Sequence, residues 1–585
     1  MYNEEELKKI QERRKQWEDV TLKKGLERYR RTESPQKFFT PLDVQGFNFL
    51  EKVGFPGEYP FTAGIYPATM SGIAASAIMG RGSESPGIEV RRAGAYSGYG
   101  TAENSRDFYR AMQARGWSGG PNIAFDLPTQ CGYDSDDPVA EGEVGKVGVA
   151  VDTLRDFEVI FEAFTDGKDL DKIASNFTIN APANIIMAMY FALAEQRGVP
   201  LDNLVATPQN DILKEILARG TYIFPIKHSM RMVRDSIVYC TEHAPRVNYI
   251  TVAGYHIREA GATGPQAVGF TLANAMAYIQ LGIDAGLDVE RFYPRLTFLG
   301  FGGSMEVLKE IALGRAARRI WAKIMREKFK VKNPRCWILR PSGGIMIGNS
   351  STTVQRPLNN LIRTVIGGVC SGLAGGAPSA FPPYDEPLGL GWSLEAQQLS
   401  EDASRIMIHE ARLCDVLDPF AGSYFMESLT DQQEREILEV LNKIDDMGGA
   451  VATIESGYMQ REIARSAHEF QRQIETGEKI VVGVNAFMGE NELEVDTSRM
   501  VAHPYDPKKR AEAEHRQLEN LAKVKKERDN DSVKACLKRL EEAARDESVN
   551  LMPLFIELVK LYATEGEMCG VLRKVFGEYH EYGAL

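Results

Sequence analysis

Apolar and polar residues alternate along the middle of the chain in a pattern that predicts β/α units. Short runs rich in β-branched or aromatic residues are separated by longer segments whose apolar positions recur with the period of a helix. The predicted strands are residues 90–97, 122–126, 176–180, 205–209, 249–255, 295–300, 336–342 and 375–381. Eight such units in succession are typical of a parallel (β/α)8 barrel. We therefore expect an α/β protein built on a TIM barrel with helical extensions at both ends.

The predicted barrel, residues 41–415, lies between two regions of different character. Residues 1–40 form a charge-dense helical arm whose pattern fits either a solvated leading helix or a segment that packs on a partner chain. Residues 416–585 are mostly helical and are expected to pack on the barrel and on a partner subunit. Within them, IVVGVN at 480–485 is predicted to be a short buried strand.

One alternating face of the predicted strands is unusually polar for the inside of a barrel, which Val, Ile and Leu normally fill. If this face points inward, the barrel axis is hydrophilic and open to a long polar ligand. If the register is inverted, the same residues point outward beneath the helices. The residues on this face are Asn176, Thr178, Asn180, Thr207, Gln209, Thr251, Arg295 and Thr297.

Composition narrows the possible partners and the location. The 585 residues are 43% hydrophobic and 26% charged, as in an ordinary globular protein, and the formal charge is −12. An acidic chain without a dense Lys/Arg patch argues against nucleic acid as the partner. No apolar run approaches the roughly 18 residues of a membrane span, and no signal peptide is recognisable, so we expect a cytoplasmic protein. The seven scattered cysteines are expected to be reduced and mostly buried.

The stretch AFDLPTQCGYDSDDP (124–138) ends a predicted strand at Asp126 and adds Asp134, Asp136 and Asp137 in the following loop. Clustered carboxylates can bind a hard cation, but Asx-rich turns explain them equally well. The spacing matches no familiar metal-binding loop, so we predict no metal site.

Two further stretches place reactive side chains where barrel active sites are built, at the carboxyl ends of strands. GYHIREAGA (254–262) puts Tyr255 and His256 after the fifth strand. QNDILKEILARG continues the fourth strand through Gln209 to Arg219, whose guanidinium could bind a carboxylate bidentately or could simply be solvated. No serine-hydrolase, zincin, P-loop or Rossmann motif is present, which argues against those enzyme classes.

Several of these stretches, with others in the same order, resemble the large catalytic chain of the methylmalonyl-CoA mutase family. They are YPFTAGIYPATM (59–70), AFDLP with GYDSD, TPQNDILKE, GYHIREAGA, RAARRIWAKIM (315–325), DPFAGSY (418–424), IDDMGGA (444–450) and VVGVN (481–485). The resemblance implies a (β/α)8 barrel threaded by the pantetheine arm of coenzyme A. It also implies an adenosylcobalamin-dependent isomerase that rearranges the carbon skeleton of an acyl-CoA by radical chemistry.

The resemblance assigns roles to individual residues. It places Tyr96 beside the adenosyl group and the substrate, Arg219 on the free carboxylate of the substrate, and His256 on the thioester carbonyl, where it would stabilise developing charge. The implied CoA-ester contacts are Tyr66, Thr69, Met70, Thr207, Gln209, Arg219, Arg295 and Thr297. The implied adenosyl contacts are Tyr255 and Glu386.

The sequence departs from the family pattern in ways that indicate a partner subunit and a particular substrate class. The cobalamin motif Asp-x-His-x-x-Gly is absent, so we expect adenosylcobalamin to be bound mainly by a separate small subunit in a hetero-oligomer, with a GTPase chaperone as a candidate further partner. The loops 340–357 and 375–387 have lost polar residues that the family usually carries. We therefore predict a catalytic subunit that interconverts a branched, alkyl- or aryl-substituted malonyl-type CoA ester and a linear succinyl-type one. The alternatives are a methylmalonyl-CoA mutase proper and a catalytically degenerate structural subunit.

Overall fold

The computed structural model describes residues 4–28, 30, 32–33, 38–44, 46–66, 93–114, 119–165, 169–341, 349–376, 378–388, 393–489 and 507–581. Helix predominates in these ranges. The α-helices are Glu4–Gln16, Lys23–Arg28, Phe49–Lys52, Ala102–Ala114, Leu127–Gln130, Leu154–Ile160, Ala183–Gln196, Ile212–Lys214, Ile226–His243, Gly254–Glu259, Gly264–Asp284, Val289–Phe292, Val307–Lys323, Asn359–Leu373, Leu394–His409, Tyr424–Asp446, Gly449–Glu455, Tyr458–Glu475, Pro507–Glu527, Asn530–Ala544, Met552–Lys560 and Glu565–Phe576. Three segments, Trp17–Leu22, Glu215–Arg219 and Ile324–Lys328, are π-helical.

All the strand pairs of the described chain are parallel and follow the chain order. The strands are β1 (Ala93–Ser97), β2 (Gly120–Ala124), β3 (Ala174–Thr178), β4 (Val205–Pro208), β5 (Ile250–Ala253) and β6 (Leu296–Leu299). Strands β1 to β4 form one sheet, and β5 pairs with β6. Two backbone bonds of 2.8 Å, from Asn248 N to the Ala206 carbonyl and from Thr251 N to the Gln209 carbonyl, place β5 beside β4. The predicted α/β class with successive parallel β/α units is confirmed.

The seventh and eighth predicted strands differ from the expectation. Residues Pro334–Trp337 form a 3₁₀ turn, and only Pro341 bridges to Phe298, supported by a 2.8 Å bond from Phe298 N to the Arg340 carbonyl. The described part of 375–381 contains no strand. Proline cannot donate a ladder hydrogen bond, and each segment contains one, Pro341 in the first and Pro378 in the second, which also begins with two glycines. These residues disfavour a regular strand in both segments.

The strand register puts the polar residues in one row. Tyr96 pairs with Asn122, Asn122 with Asn176, and Asn176 with Thr207. Because successive side chains of a strand point to opposite faces, these residues share a face, and the alternate residue Phe177 lies buried in an aromatic core on the other side. The predicted grouping of polar residues on one face of the sheet is therefore present.

The helix Tyr424–Asp446 packs on the helix that carries RAARRIWAKIM through buried ion pairs. Arg315 contacts Glu427 at 2.6 Å, and Arg319 contacts Glu434 at 2.6 Å. A buried charge is tolerated only when it is paired and hydrogen-bonded. This motif therefore fastens the C-terminal helices to the β/α core and does not line the site described below.

The segment 480–485 is not a buried strand, so that prediction is wrong. Ile480 is 59% exposed, and Val482 forms only an isolated bridge to Ala486. The backbone folds instead around Asn485, whose side chain accepts from Val481 N at 2.7 Å, because no neighbouring strand is available to pair with it.

The described residues of 1–40 and 416–585 are mostly helical. All seven cysteines are free thiols, and five of them are buried, as expected. No helix in the described ranges combines the length and the apolar character needed to cross a membrane.

A buried carboxyl group lies where the last helices meet the β/α core. Glu565 is fully buried, and among the described residues neither of its carboxylate oxygens has a hydrogen-bond partner. Burial, followed by the negative charges of Asp134, Asp152 and Asp126, raises the pKa of Glu565 well above its ordinary value. The group is therefore protonated in the folded protein at a pH where it would ionise in the unfolded chain.

We predict that Glu565→Gln stabilises the protein at neutral pH. Because the folded-state pKa is raised, the free energy of unfolding falls as pH rises from about 4.5 through the raised pKa, and glutamine removes that loss. One pKa unit corresponds to about 1.4 kcal/mol. Thermal unfolding is measured at pH 5.5 and pH 8. The Tm of the variant should exceed that of the wild type at pH 8, and it should change less between the two pH values. The exposed control Glu542→Gln should change neither, and an unchanged pH profile for Glu565→Gln would contradict the assignment.

Candidate active site

A tight turn after β4 brings a charged segment to the carboxyl ends of the strands. Asn210 adopts a left-handed backbone (φ 53°) and is fixed by a 3.0 Å bond from its Nδ2 to the Tyr249 carbonyl. Asp211 then caps the short helix Ile212–Lys214, which continues into the π-helical turn Glu215–Arg219 and ends at the left-handed Gly220. Single π turns within helices are frequent at functional sites.

The Glu215 carboxylate is the centre of a buried polar network. It accepts from Asn180 Nδ2 at 2.6 Å and from Arg219 Nη1 at 3.3 Å, and it is closely paired with Lys214 and the Thr221 hydroxyl. Burial alone would raise the pKa of Glu215, but Lys214 and Arg219 hold it below its ordinary value. An ionised carboxylate therefore holds the Lys214 and Arg219 side chains at this end of the sheet. Burial lowers the pKa of Lys214, and the charge of Glu215 opposes that shift.

His256 follows β5 and lies beside this network. Gly254 precedes it at a close approach to the next strand, where a Cβ atom would lie 2.8 Å from the Gly300 carbonyl oxygen. Burial, assisted by the positive charges of Lys214 and Arg219, lowers the pKa of His256 well below 6.5. Its imidazole is therefore neutral at pH 7, and the buried Nδ1 has no hydrogen-bond partner within the described chain.

Tyr96, at the end of β1, completes the group. It shares a hydrogen bond with Thr178 of β3. Burial raises the pKa of the Tyr96 phenol, which the charge of Arg219 opposes and that of Glu386 reinforces. Tyr255 lies next to His256, with their ring centroids 5.3 Å apart. The sheet thus brings the predicted catalytic and adenosyl-contacting residues together from four separate parts of the chain.

Threonine and asparagine side chains continue the polar surface along the strands. Thr251 and Thr297 share a hydrogen bond of 2.8 Å between β5 and β6, and Asn248 Nδ2 donates to Thr207 Oγ1 at 2.9 Å. Asn248 Oδ1 in turn accepts from Arg340 Nη1 at 3.2 Å. These hydrogen bonds join side chains of neighbouring strands across the polar face.

Arginine side chains gather at the opposite, amino ends of β5 and β6. Burial, followed by the positive charges of Arg340 and Arg246, lowers the pKa of Arg295. In the described chain no carboxylate lies within 4.0 Å of the Arg295 guanidinium. Arg295 and Arg291 line a cavity of about 120 Å³, to which Glu242 also contributes, and the charge of Arg340 partly offsets the burial that raises the pKa of Tyr66. Several arginines and one carboxylate therefore lie near this end of the strands.

The acidic loop 124–138 owes its carboxylates to the fold. Asp126 accepts two backbone N–H groups at 3.0 and 2.7 Å, and Asp137 accepts one at 2.9 Å. Asp134 and Asp136 contact Lys525 at 3.2 and 2.8 Å. Capping and ion pairing with the C-terminal helices therefore explain this stretch.

Most of the sequence-predicted site residues fall into the two groups just described. Thr69 and Met70 lie outside the described residues. Lys214 and Glu215 were missed by sequence reasoning, although two consecutive charges inside the apolar run ILKEIL were a usable signal. Both side chains are fully buried, which the sequence pattern alone does not reveal.

Parallel β/α units with polar and charged side chains gathered at the carboxyl ends of the strands are the arrangement in which α/β enzymes build their active sites. The chain belongs to the methylmalonyl-CoA mutase family, since the family model described as methylmalonyl-CoA mutase matches residues 30–578. Members of this family are isomerases that act on acyl-CoA, and membership implies a cobalamin cofactor.

Individual relatives support this assignment. The chain is 38% identical over 583 residues to the 2-hydroxyisobutanoyl-CoA mutase large subunit of Aquincola tertiaricarbonis, covering 98% of this chain and 97% of that protein. It is 37% identical over 484 residues to methylmalonyl-CoA mutase of Escherichia coli (strain K12), covering 83% of this chain and 65% of the relative. It is 36% identical over 527 residues to the probable mitochondrial methylmalonyl-CoA mutase of Caenorhabditis elegans, covering 90% of this chain and 66% of that protein. The chain therefore spans about two thirds of the length of these methylmalonyl-CoA mutases.

Proposed function

We propose that this chain is the catalytic subunit of an adenosylcobalamin-dependent mutase that interconverts a branched malonyl-type and a linear succinyl-type dicarboxylic acyl-CoA. The observation that carries the proposal is Arg219, held by the ionised Glu215 at 3.3 Å beside Tyr96 and the neutral His256. A guanidinium fixed in this way has further N–H groups for a ligand carboxylate.

The proposed architecture is a (β/α)8 barrel spanning residues 41–415, with the helical arm 1–40 and the helical region 416–585 around it. Six successive parallel strands and the bridge at Pro341 support this proposal and would form most of the barrel wall. In such a barrel the polar row that includes Asn122, Asn176 and Thr207 would face the axis.

The two ends of this axis would bind the two ends of the substrate. Arg295 and Tyr66, with Arg340 and Arg246, would hold the phosphate-bearing part of coenzyme A, and the acyl group would lie near Arg219. A strand of four or five residues spans roughly 13–17 Å at about 3.3 Å per residue. The pantetheine arm would pass the Thr207, Thr251 and Thr297 side chains on its way along the axis.

The residues near the acyl group would then have separate tasks. Arg219 binds the free carboxylate and fixes the orientation of the acyl chain. His256, which is neutral, donates a hydrogen bond to the thioester carbonyl and stabilises charge that develops there. Tyr96, whose phenol stays protonated, closes the site from the side of β1 and helps to exclude water.

The residues present fit the adenosyl part of the cofactor. Glu386, whose charge reaches Tyr96, can accept hydrogen bonds from ribose hydroxyls, and Tyr255 offers a ring beside His256. When bound, adenosylcobalamin supplies the radical that starts the rearrangement. We propose that a separate small subunit binds the rest of the cobalamin, in line with the relative named as a large subunit. A GTPase chaperone remains a further candidate partner.

A second candidate substrate comes from the same relative, whose name specifies a 2-hydroxyisobutanoyl group. That group carries a hydroxyl where a dicarboxylic substrate carries a carboxylate. The charged Arg219 favours the dicarboxylic class, and within it a substituent larger than methyl, an inference that rests on the Gly/Pro-rich sequence of loops 340–357 and 375–387.

The proposal is tested by product analysis. The chain is combined with a candidate cobalamin-binding subunit, adenosylcobalamin and branched dicarboxylic CoA esters, and the linear isomer is sought by mass spectrometry after hydrolysis. We expect isomerisation of at least one malonyl-type ester and none of a monocarboxylic ester of the same size. Turnover of the monocarboxylic ester alone would assign the enzyme to the other substrate class.

A further inference from the structure

Two adjacent charged residues, Lys214 and Glu215, lie buried behind the proposed acyl site. The Lys214 and Glu215 side chains are both fully buried and closely paired. Burying an ion pair is often no more stabilising than an apolar pair of similar volume, so such a pair calls for another explanation. The other hydrogen bonds of this ion pair supply that explanation.

Lys214 fixes which way the Gln209 amide points. Lys214 Nζ donates to Gln209 Oε1 at 3.0 Å, and Asn180 Nδ2 donates to the same oxygen at 3.3 Å. An ammonium group has only donors, so it can face only the oxygen of the amide. The Gln209 Nε2 group must therefore point away from Lys214, toward the half-exposed polar face of the sheet.

The orientation of Asn180 is fixed independently, which removes the remaining ambiguity. Asn180 Oδ1 accepts from Asp211 N at 3.0 Å, so its Nδ2 is the atom that faces Gln209 and Glu215. Asp211 is itself held by Tyr278 OH and by Ala253 N, each at 2.7 Å. In this network, which extends from Tyr278 to the Gln209 amide, each hydrogen bond therefore has one possible donor and one possible acceptor.

We propose that Lys214 is a positioning residue that makes Gln209 present its N–H donors to the substrate, while Glu215 holds Lys214 and Arg219 in place together. The proposal rests on the function proposed above. It deepens that function because Gln209 and Arg219 then offer only donors to the acyl group. These donors complement a substrate oxygen that accepts hydrogen bonds, as in a carboxylate or a thioester carbonyl. They do not complement a substrate group that donates hydrogen bonds at the same position.

The orientation is tested with two variants of Gln209. Gln209→Glu keeps the oxygen that faces Lys214 and replaces Nε2 by a second oxygen, whereas Gln209→Leu removes both polar atoms. Calorimetric titration of the full-length chain with succinyl-CoA should show that Gln209→Glu binds more weakly than Gln209→Leu, because an acceptor then faces the ligand oxygen. Equal or tighter binding by Gln209→Glu would overturn the orientation.

The role of Lys214 is tested by a double-mutant cycle. Lys214→Met alone should weaken succinyl-CoA binding about 10- to 100-fold, the range for loss of a charge-assisted hydrogen bond. In the Gln209→Leu background the same substitution should add no more than about 2- to 3-fold, since it acts through Gln209. If the fold-losses in affinity of the two single variants multiply in the double variant, Lys214 has a general structural role and the proposal is refuted. If Lys214→Met fails to fold, the comparison of Gln209→Glu with Gln209→Leu still tests the orientation of Gln209.

A failure of the proposed function would look different. The wild-type chain, alone and with the cobalamin-binding subunit, would then not bind succinyl-CoA more tightly than butyryl-CoA. If the wild type prefers succinyl-CoA but Gln209→Glu binds it more tightly than Gln209→Leu, only the positioning proposal fails.

Discussion

Replacing Arg219 by glutamine should abolish turnover of a dicarboxylic acyl-CoA. The Arg219 side chain is 23% exposed and is held by the buried Glu215, so a substrate carboxylate there would be largely removed from water. Loss of one partner of such a charge pair costs about 3–5 kcal/mol, which corresponds to roughly 10²- to 10⁴-fold in kcat/KM. Steady-state kinetics on the dicarboxylic ester measures this loss.

The matched control is Arg539→Gln, which removes an exposed arginine that pairs with Glu557 on the surface of the C-terminal helices. It should leave kcat/KM unchanged. Cobalamin binding should be retained in both variants. Unchanged turnover by Arg219→Gln would show that Arg219 does not bind the substrate carboxylate.

Substitution of His256 should produce the second large loss. A neutral donor placed on the thioester carbonyl contributes as an oxyanion-stabilising group does, so His256→Ala should lower kcat about 10²- to 10³-fold. Because the pKa of His256 lies well below 6.5, this residue should not cause a fall in wild-type activity between pH 8 and pH 6. A pH–rate profile of kcat checks both statements.

His256→Gln, which can still donate, should recover part of the activity, and the exposed His243→Ala should behave as wild type. An activity of His256→Ala close to wild type would exclude its role at the thioester. A wild-type rate that falls with an apparent pKa near 6.5, and no longer does so in His256→Gln, would show that the imidazole titrates in the ordinary range.

The parts of the fold that could be predicted from sequence were those governed by periodicity. Six predicted strands and the helices between them follow from alternating apolar patterns, and the polar face was visible as Asn176 and Thr207 on separate strands. The segments 336–342 and 480–485 were mispredicted because an apolar run indicates burial only where a partner strand is available, and here prolines or an Asn485-centred turn intervene.

The site could be predicted only in part for a related reason. Arg219 and His256 were recognisable by motif and by position at the ends of strands. Lys214 and Glu215 were not, because their importance comes from complete burial and from the contact of Glu215 with Asn180, 35 residues away along the chain. Such long-range polar contacts leave little trace in a single sequence.

The central claim, a radical mutase acting on dicarboxylic acyl-CoA, is tested most directly by the optical and EPR spectra of the assembled enzyme. The chain, a cobalamin-binding subunit and adenosylcobalamin are mixed, and candidate CoA esters are added anaerobically. We predict that cob(II)alamin appears on addition of a dicarboxylic ester with wild type and does not appear with Arg219→Gln. Absence of any cob(II)alamin signal from the wild type, in a mixture shown to bind the cofactor and with every dicarboxylic ester tested, would contradict the account.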